Sequence, residues 1–269
     1  MSGQLVSVVM PAFNAAPYIR EAVASVLAQS HTEWELWIVD DGSTDATLSI
    51  ARSFSDPRIH VLTQANHGIG HARNRALERV SGDFLCLLDS DDVLPSNSIR
   101  SRLNALLNDE HAMFCDGVVK VFGRQLEVQL REYVPTFTGD PFIHLAALDP
   151  ICFFGPSWMI RWRPNRKARF NEEVTHVEDL LFYLTLAKGN RYIHTKDTVL
   201  HYRVTGHSSM SKLEGLESSY HYVHAWLASN HADLGDAFLS RTKRRIRRIM
   251  AKSYLKEGRG LPALRALFR

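Results

Sequence analysis

The stretch from Phe84 to Pro95 constrains the fold more than any other part of this 269-residue sequence. It begins with five apolar residues, which predict a strand buried on both faces, and Pro95 bars the strand from continuing. Directly after the apolar run come three carboxylates within four residues: Asp89, Asp91 and Asp92. Negative charge at the end of a buried strand is costly unless a cation meets it, and carboxylate oxygens suit Mg²⁺ or Mn²⁺. The stretch favours a divalent-cation site over the alternative, a solvated turn that caps the following helix.

Strands and helices alternate through the N-terminal half of the chain. Strands are expected at residues 5–10, 36–39, 60–62 and 84–88. Helix signals between these strands predict a doubly wound, mostly parallel sheet of the α/β class. Each strand is followed by a turn that carries polar residues, proline or glycine: 11–14, 40–45, 66–70 and 89–92. Because ligands bind beyond the carboxyl ends of the strands in such sheets, we expect these four turns to line one cleft.

The second half of the chain has a less regular pattern. A helix is expected at 99–107, and strands at 112–121, 157–160 and 198–203, with Asp116 and Gly117 interrupting the first of these strands. The order of elements between 125 and 156 stays open. Residues 161–169 are basic and loop-like, and we expect them to face an anionic ligand. A further helix begins at Val177 and carries Glu178 and Asp179 in its first turn.

Composition excludes several classes of protein. The apolar content of 45% and the charged content of 23% are those of an ordinary globular protein. The three cysteines are odd in number and show no C-x-x-C spacing, so neither a disulfide framework nor a zinc site is expected. No signal peptide and no apolar run long enough to span a membrane is found, which favours a cytoplasmic setting.

Five motifs in the N-terminal half occur in a recognisable order: residues 8–14, 39–45, 66–74, 82–84 and 88–92. As an ordered series they resemble glycosyltransferase family 2, and Glu178-Asp179, Tyr202-Arg203 and Ser208 to Ser211 resemble the distal motifs of that family. The resemblance covers roughly residues 5–211. It implies a GT-A fold, a nucleotide-sugar donor and inversion at the anomeric centre. It also implies a catalytic domain at 1–211, with a nucleotide-binding half at about 1–95 and an acceptor half at about 96–211.

The resemblance also implies a set of site residues. The nucleotide-sugar site would contain Pro11, Ala12, Phe13, Asn14, Asp41, Asn66, Arg73, Asp89, Ser90, Arg203, His207 and Ser208. Within it, Asp41 would accept a hydrogen bond from a uracil imide and Arg73 would position the base or the diphosphate. Asp89 would hold the ribose. Asp91, with Asp92 as a less certain partner, would bind the Mn²⁺ or Mg²⁺ ion that bridges the diphosphate.

Catalysis of glycosyl transfer needs a base for the attacking hydroxyl, and the resemblance assigns this role to Asp179 with Glu178 beside it. A carboxylate at a helix N-terminus is stabilised as the anion, so burial or the charge of Glu178 would have to raise the pKa of Asp179. Acidic residues are favourable in any first helical turn, which leaves an ordinary structural role as the alternative. Arg203, His207 and Ser208 would close over the diphosphate.

The C-terminal segment 212–269 is predicted to be a helical, basic extension. Residues 241–269 carry eleven Lys or Arg and one acid, a net charge of +10, whereas the other 240 residues carry −7. One helical face holds the apolar residues Ile246, Ile249, Met250 and Tyr254. The pattern favours peripheral contact with an anionic membrane, and packing of the helix on the catalytic body is the alternative. Nucleic acid is not an expected partner, because no aromatic stacking set accompanies the basic charge.

Together these expectations describe a metal-dependent transferase of hexosyl or N-acetylhexosaminyl groups. The donor would be a UDP-sugar, and the acceptor a cell-surface glycan or glycolipid precursor such as one for lipopolysaccharide, at the cytoplasmic face of the membrane. Two other classes remain open. A nucleotidyltransferase would need a glycine-rich, basic loop after the first strand, where Pro11 to Asn14 stand. A non-catalytic nucleotide-sugar-binding module would need no Asp179.

Overall fold

The computed structural model describes residues 4–152, 155–163, 167–206 and 212–268. In these residues the strands are β1 Val6–Ala12, β2 Trp34–Asp40, β3 Ile59–Thr63, β4 Phe84–Leu87, β5 Ala112–Phe122, β6 Gln129–Tyr133, β7 Met159–Arg161 and β8 Arg191–Arg203. The α-helices are α1 Ile19–Leu27, α2 Thr47–Arg52, α3 Ile69–Leu77, α4 Ser98–Asn108, α5 Phe142–Ala146, α6 Glu178–Ala187, α7 Leu213–Asn230, α8 Gly235–Lys256 and α9 Gly260–Ala266.

The strands of the described residues form one sheet in the order β3-β2-β1-β4-β7-β5-β6, and β8 pairs with β5. Pairing is parallel between β1 and β2, β1 and β4, β2 and β3, and β5 and β8. β7 runs antiparallel to β4 and β5, and β6 runs antiparallel to β5. Helices connect the parallel strands of the first half, so the predicted α/β class with a mostly parallel sheet is confirmed.

Both faces of the sheet are covered, because successive side chains of a strand point to opposite faces. Val8 and Met10 of β1 pack with Ile19 of α1 and Ile99 of α4 in one core. Val9, between them, belongs to a second core that contains residues of α3, α6 and α7. The apolar run from Phe84 to Leu88 is at most 3% exposed, as expected for a strand buried on both faces.

Two strands continue past residues that were expected to end or interrupt them. β1 was expected to end at Pro11 but continues to Ala12, because its pairing with β4 stops at Val9 and Leu87 and proline then faces a single neighbour. β5 was expected to break at Asp116 and Gly117, yet it is one strand whose register against β8 shifts there. A Cβ atom on Gly117 would come within 2.4 Å of Val199 Cγ1, so glycine permits this close approach.

The region between 125 and 156, whose order the pattern left open, contains β6, α5 and two short 3-10 helices at Pro150–Cys152 and Gly155–Ser157. The three cysteines, Cys86, Cys115 and Cys152, are all free and buried.

The C-terminal helices pack on the rest of the chain. Ile246, Met250 and Tyr254 of α8 are buried in one cluster with Leu213 and Leu216 of α7. The apolar face that the sequence offered to a membrane is therefore covered by protein, which agrees with the alternative of a helix packed on the body. No helix in the described ranges is both long and apolar enough to cross a membrane.

Candidate active site

The turns after β1, β2, β3 and β4 meet in one cleft of about 1490 Å³ at the carboxyl edge of the sheet. The expected site residues that line it are Pro11, Ala12, Phe13, Asn14, Asp41, Asn66, Arg73, Asp89, Ser90, Asp91, Glu178 and Asp179. Phe13 is 50% exposed there, so the ring is available for stacking against a planar ligand. Arg203 and Asp92 do not line the cleft, and His207 and Ser208 lie outside the described residues.

Asp41 is held rigidly at the end of β2. Its Oδ1 accepts hydrogen bonds from Gln64 Nε2 at 2.7 Å and from the backbone NH of His67 at 2.9 Å, while Oδ2 accepts one from Gly68 NH at 2.8 Å. These three donors fix the carboxylate and leave it acceptor capacity toward the cleft, because each oxygen carries two lone pairs. Gln64 is a positioning residue that the sequence did not single out.

Asn14 joins the first two turns. Its backbone NH donates to Ser43 Oγ at 3.0 Å, and its Oδ1 accepts from Thr44 NH at 2.8 Å. The residue adopts φ 49°, a left-handed conformation that asparagine tolerates better than most residues. Asn14 thus lines the cleft while its side-chain oxygen bonds to the neighbouring turn.

Arg73 on α3 connects the two acidic parts of the cleft. Its Nη1 donates to Glu178 Oε1 at 2.6 Å and its Nη2 to Asp89 Oδ1 at 2.8 Å, although the guanidinium is only 1% exposed. Burial opposes the charge of Arg73, but the carboxylates of Asp89 and Glu178 outweigh burial and raise its pKa. The guanidinium also lies 5.3 Å from the centroid of the Phe170 ring. Arg73 therefore fixes the side chains of Asp89 and Glu178 relative to each other.

Asp179 is placed at the start of α6. Burial and the neighbouring charge of Glu178 raise the pKa of Asp179 to about 7, although Arg73 and the hydrogen bond from Leu180 NH act in the opposite direction. Val177, the residue before this pair, has φ 53°, which is unusual for a β-branched side chain. The environment thus supplies the raised proton affinity that a general base at a helix N-terminus requires.

Asp91 is the carboxylate at the end of β4 that fits a metal ligand. It lines the cleft, and burial followed by the charge of Asp89 raises its pKa to about 6. Within the described ranges, no group of three or more His, Cys, Asp or Glu side chains forms a metal site. Mg²⁺ typically binds one or two carboxylates together with phosphate oxygens, so Asp91 suits an ion that arrives with a diphosphate.

Asp92 points away from the cleft. It is 1% exposed, its Oδ1 accepts a hydrogen bond from Arg203 NH at 2.8 Å, and its Oδ2 has no partner among the described residues. Burial, with the charges of Asp91 and Asp89, raises the pKa of Asp92 well above its ordinary value. This placement disagrees with the expectation that Asp92 is a second metal ligand, since the backbone NH of Arg203 at the end of β8 holds the carboxylate on the inner side of the turn.

Arg203 lies behind the acidic turn rather than over the cleft. Its Nε donates to the carbonyl of Asp91 at 2.7 Å, its Nη1 to the carbonyl of Arg124 at 2.8 Å and its Nη2 to Glu21 Oε2 at 2.5 Å. The guanidinium is engaged on all three nitrogens by protein atoms, and the expected contact of Arg203 with a diphosphate stays a prediction. Arg203 holds the loop that presents Asp91.

Several residues of the cleft were not predicted. Arg124 and Arg131 line it from the β5–β6 side, and Tyr220, Ser253 and Lys256 line it from the C-terminal helices. The sequence carried no signal for these positions, because they reach the cleft only through tertiary packing, of the β5–β6 hairpin for the two arginines and of α7 and α8 for the other three. The two arginines add positive charge near the acidic turn.

The mixed α/β sheet, with four turns that line one cleft at its carboxyl edge and a carboxylate pair at the start of α6, has the architecture expected of a glycosyltransferase with the GT-A fold. Residues 7–174 match the family model described as Glycosyl transferase family 2. The chain belongs to this family. Glu178 and Asp179 lie just beyond the matched range.

Relatives of known name support this assignment. Over 106 residues the chain is 45% identical to the putative teichuronic acid biosynthesis glycosyltransferase TuaG of Bacillus subtilis, which covers 38% of this chain and 42% of TuaG. Over 191 residues it is 31% identical to the Escherichia coli UDP-Glc:alpha-D-GlcNAc-diphosphoundecaprenol beta-1,3-glucosyltransferase WfgD, covering 71% of this chain and 72% of WfgD. The match to TuaG spans less than half of that protein.

A solved structure shares the fold. The structure of S. aureus TarS 1-349 in complex with UDP-GlcNAc aligns with a TM-score of 0.67 and 22% sequence identity. The alignment covers 93% of this chain and 72% of that chain. The expected GT-A fold is thereby confirmed.

Proposed function

We propose that this glycosyltransferase is metal-dependent, inverts the anomeric centre and moves a sugar from a UDP-sugar to a hydroxyl of a lipid-linked, cell-surface glycan precursor. The observation that carries the proposal is one cleft lined both by the Asp91 carboxylate at the end of β4 and by the Asp179 carboxylate at the start of α6. The names of TuaG and WfgD support an acceptor of this class, and the UDP-GlcNAc complex of TarS supports the donor class.

The donor would bind along the carboxyl edge of the sheet. Asp41 and Asn66 border the part of the cleft next to Phe13, where a uracil base would stack on the ring and donate its imide hydrogen to Asp41. Asp89, held by Arg73, would accept from the ribose hydroxyls. A Mn²⁺ or Mg²⁺ ion held by Asp91 and the diphosphate oxygens would stabilise the negative charge that develops on the leaving group.

The transfer step needs one base and one leaving group. As the acceptor oxygen attacks the anomeric carbon from the face opposite the diphosphate, the hydroxyl proton passes to Asp179. The bond between the anomeric carbon and the diphosphate oxygen breaks, and UDP leaves with the electron pair. A base whose pKa is about 7 is largely ionised above neutral pH and still holds the proton well during transfer.

The test combines donor binding with turnover. A panel of UDP- and GDP-sugars is scored for Mn²⁺-dependent thermal stabilisation, because a ligand that binds only the folded state raises the melting temperature. We expect stabilisation by one UDP-sugar, and its loss in Asp91→Asn. The exposed Asp233→Asn serves as the matched control, since Asp233 pairs with Lys188 far from the acidic turn.

Turnover separates the remaining alternatives. With a synthetic GlcNAc-diphospholipid as acceptor, a glycosyltransferase releases UDP in an acceptor-dependent manner. Release of pyrophosphate from a nucleoside triphosphate would indicate a nucleotidyltransferase instead. Donor binding without acceptor-dependent UDP release, across a panel of lipid-linked acceptors, would contradict the proposed reaction and favour a binding module. Metal-independent binding of the donor would refute the role of Asp91.

A further inference from the structure

Helix α8 carries a groove of exposed basic residues that borders the body at Ala147. The groove has a volume of about 630 Å³, and its cationic lining is Arg241, Arg244, Arg245, Arg248 and Lys252. These five side chains recur at helical spacing on the face opposite the buried Ile246 and Met250. None of them forms an ion pair with another described residue. The groove is therefore an unneutralised positive surface.

Helix α9 returns along α8 and carries exposed apolar side chains. Its inner side, Ala263 and Ala266, is buried in the cluster around Met250. The return is fixed by Gly258 at φ 72° and by the backbone hydrogen bond from Arg259 NH to the Tyr254 carbonyl at 2.8 Å. The outer side, with the end of α8, forms an apolar patch: Leu255, Leu261, Leu264, Leu267 and Phe268.

The apolar patch is unlike the scattered apolar residues of an ordinary surface. Its five members are 44–78% exposed and lie within fourteen consecutive residues. Isolated exposed apolar residues need no explanation, but a contiguous group marks an interaction surface. Arg247 Nη2 donates to the Phe268 carbonyl at 3.5 Å, so the end of α9 lies beside the middle of α8. Positive and apolar surfaces thus adjoin each other.

We infer that the basic groove of α8 and the apolar patch together dock this protein on an anionic lipid bilayer. The charges would contact lipid phosphates while the patch enters the boundary between headgroups and acyl chains. Stable membrane attachment generally needs two such signals, and this surface supplies both. The inference corrects the expectation from sequence, in which Ile246, Met250 and Tyr254 faced the membrane, because those residues are buried in the body.

The docking surface and part of the cleft lining lie on the same helix. Ser253, Lys256 and Glu257 line the cleft, on another side of α8 from Leu255, because successive residues of a helix are about 100° apart. Docking would therefore hold the cleft close to the interface, where a lipid-linked hydroxyl acceptor would lie. This last step rests on the proposed function, whereas the docking itself does not, so the test below requires no turnover.

The first experiment measures co-sedimentation of the full chain with vesicles of phosphatidylcholine alone or mixed with phosphatidylglycerol. We expect binding to the mixed vesicles that weakens as salt is raised. Each basic residue near an anionic surface changes the partition coefficient of a protein between vesicles and solution by roughly fivefold. The double variant Arg244→Gln, Arg248→Gln should therefore weaken vesicle binding by about 25-fold. Arg52→Gln with Arg79→Gln removes the same charge from other exposed positions and should leave binding near the wild-type level.

The second experiment tests insertion of the apolar patch. All native cysteines are buried, so a Leu264→Cys variant can be labelled selectively with an environment-sensitive dye. We expect its emission to shift to shorter wavelength when mixed vesicles are added, whereas a label on Val128→Cys, at an exposed site far along the chain, should not respond. Melting curves of each variant confirm that the fold is retained.

Three results would overturn the inference. The first is wild-type protein that stays in the supernatant with mixed vesicles at low salt. The second is binding that is unchanged in both the arginine pair and a Leu261→Ser, Leu264→Ser variant. The third is the absence of vesicle binding together with another interaction. Binding to soluble polyphosphate would then assign the surface to a polyanion, and self-association through α9 would assign it to a second copy of the chain.

Discussion

The pH dependence of turnover offers the most direct test of Asp179 as the general base. Because the pKa of Asp179 is raised to about 7, the fraction ionised falls to about a tenth one pH unit below that value. We therefore expect kcat to lose roughly tenfold for each pH unit on the acidic side and to reach a plateau above about pH 8. The assay is acceptor-dependent UDP release between about pH 5 and pH 9.

The profile has to separate Asp179 from Asp91, whose pKa is raised to about 6. Measuring kcat at saturating donor and Mn²⁺ separates the two. A proton competes with the metal ion for the Asp91 carboxylate, so the ionisation of Asp91 affects KM, whereas kcat at saturation reports on Asp179. Asp179→Asn should bind donor normally and lose about 10²- to 10⁴-fold in kcat, the usual contribution of a general base. Asp233→Asn serves as the control and should keep the wild-type profile.

The charge of Glu178 provides a second, independent test of Asp179 as the general base. Glu178 helps to raise the pKa of Asp179, so Glu178→Gln should move the acidic limb to lower pH. The folded-state pKa of Asp179 lies above its unfolded value, so ionisation costs stability as the pH rises toward and through about 7. Asp179→Asn should accordingly melt at a higher temperature than the wild type at pH 8. A flat profile, or near-normal turnover in Asp179→Asn, would refute the assignment of the base.

Two further substitutions probe how the cleft is built. Arg73→Met leaves the buried carboxylate of Glu178 and the partly buried carboxylate of Asp89 without their partner, so the free energy of unfolding should fall by about 3–5 kcal/mol in urea denaturation. A loss below about 1 kcal/mol would contradict the structural role of the ion pairs. Gly42→Ala puts a Cβ atom 2.9 Å from Asn66 N at φ 75°, so it should cost about 1–3 kcal/mol and weaken UDP binding. The matched Gly123→Ala, which meets nothing within 4 Å, should do neither, and equal effects of the two would refute the steric argument.

Much of the N-terminal half of the fold was determined by local sequence. The burial of Phe84 to Leu88 and the clustering of four turns at one sheet edge both follow from short apolar runs and the residues that end them. Such signals are reliable because a strand buried on both faces must be apolar throughout, and parallel strands bring their carboxyl ends to the same edge. β6 and α5 were missed because their short segments carry no clear periodicity.

Long-range packing decided the features of the fold and of the cleft that local sequence did not. Arg73 meets Glu178 across 105 residues and Arg203 meets Glu21 across 182, and no local pattern encodes either pair. Asp91 and Asp92 are adjacent in sequence, yet the body turns one toward the cleft and the other into the interior. Helix α8 shows the same division. Its amphipathic pattern was plain from sequence, but only the packing on α7 showed that protein covers the apolar face. Sequence fixes which side chains a helix or strand carries, whereas burial against distant segments decides which of them remain available to a ligand.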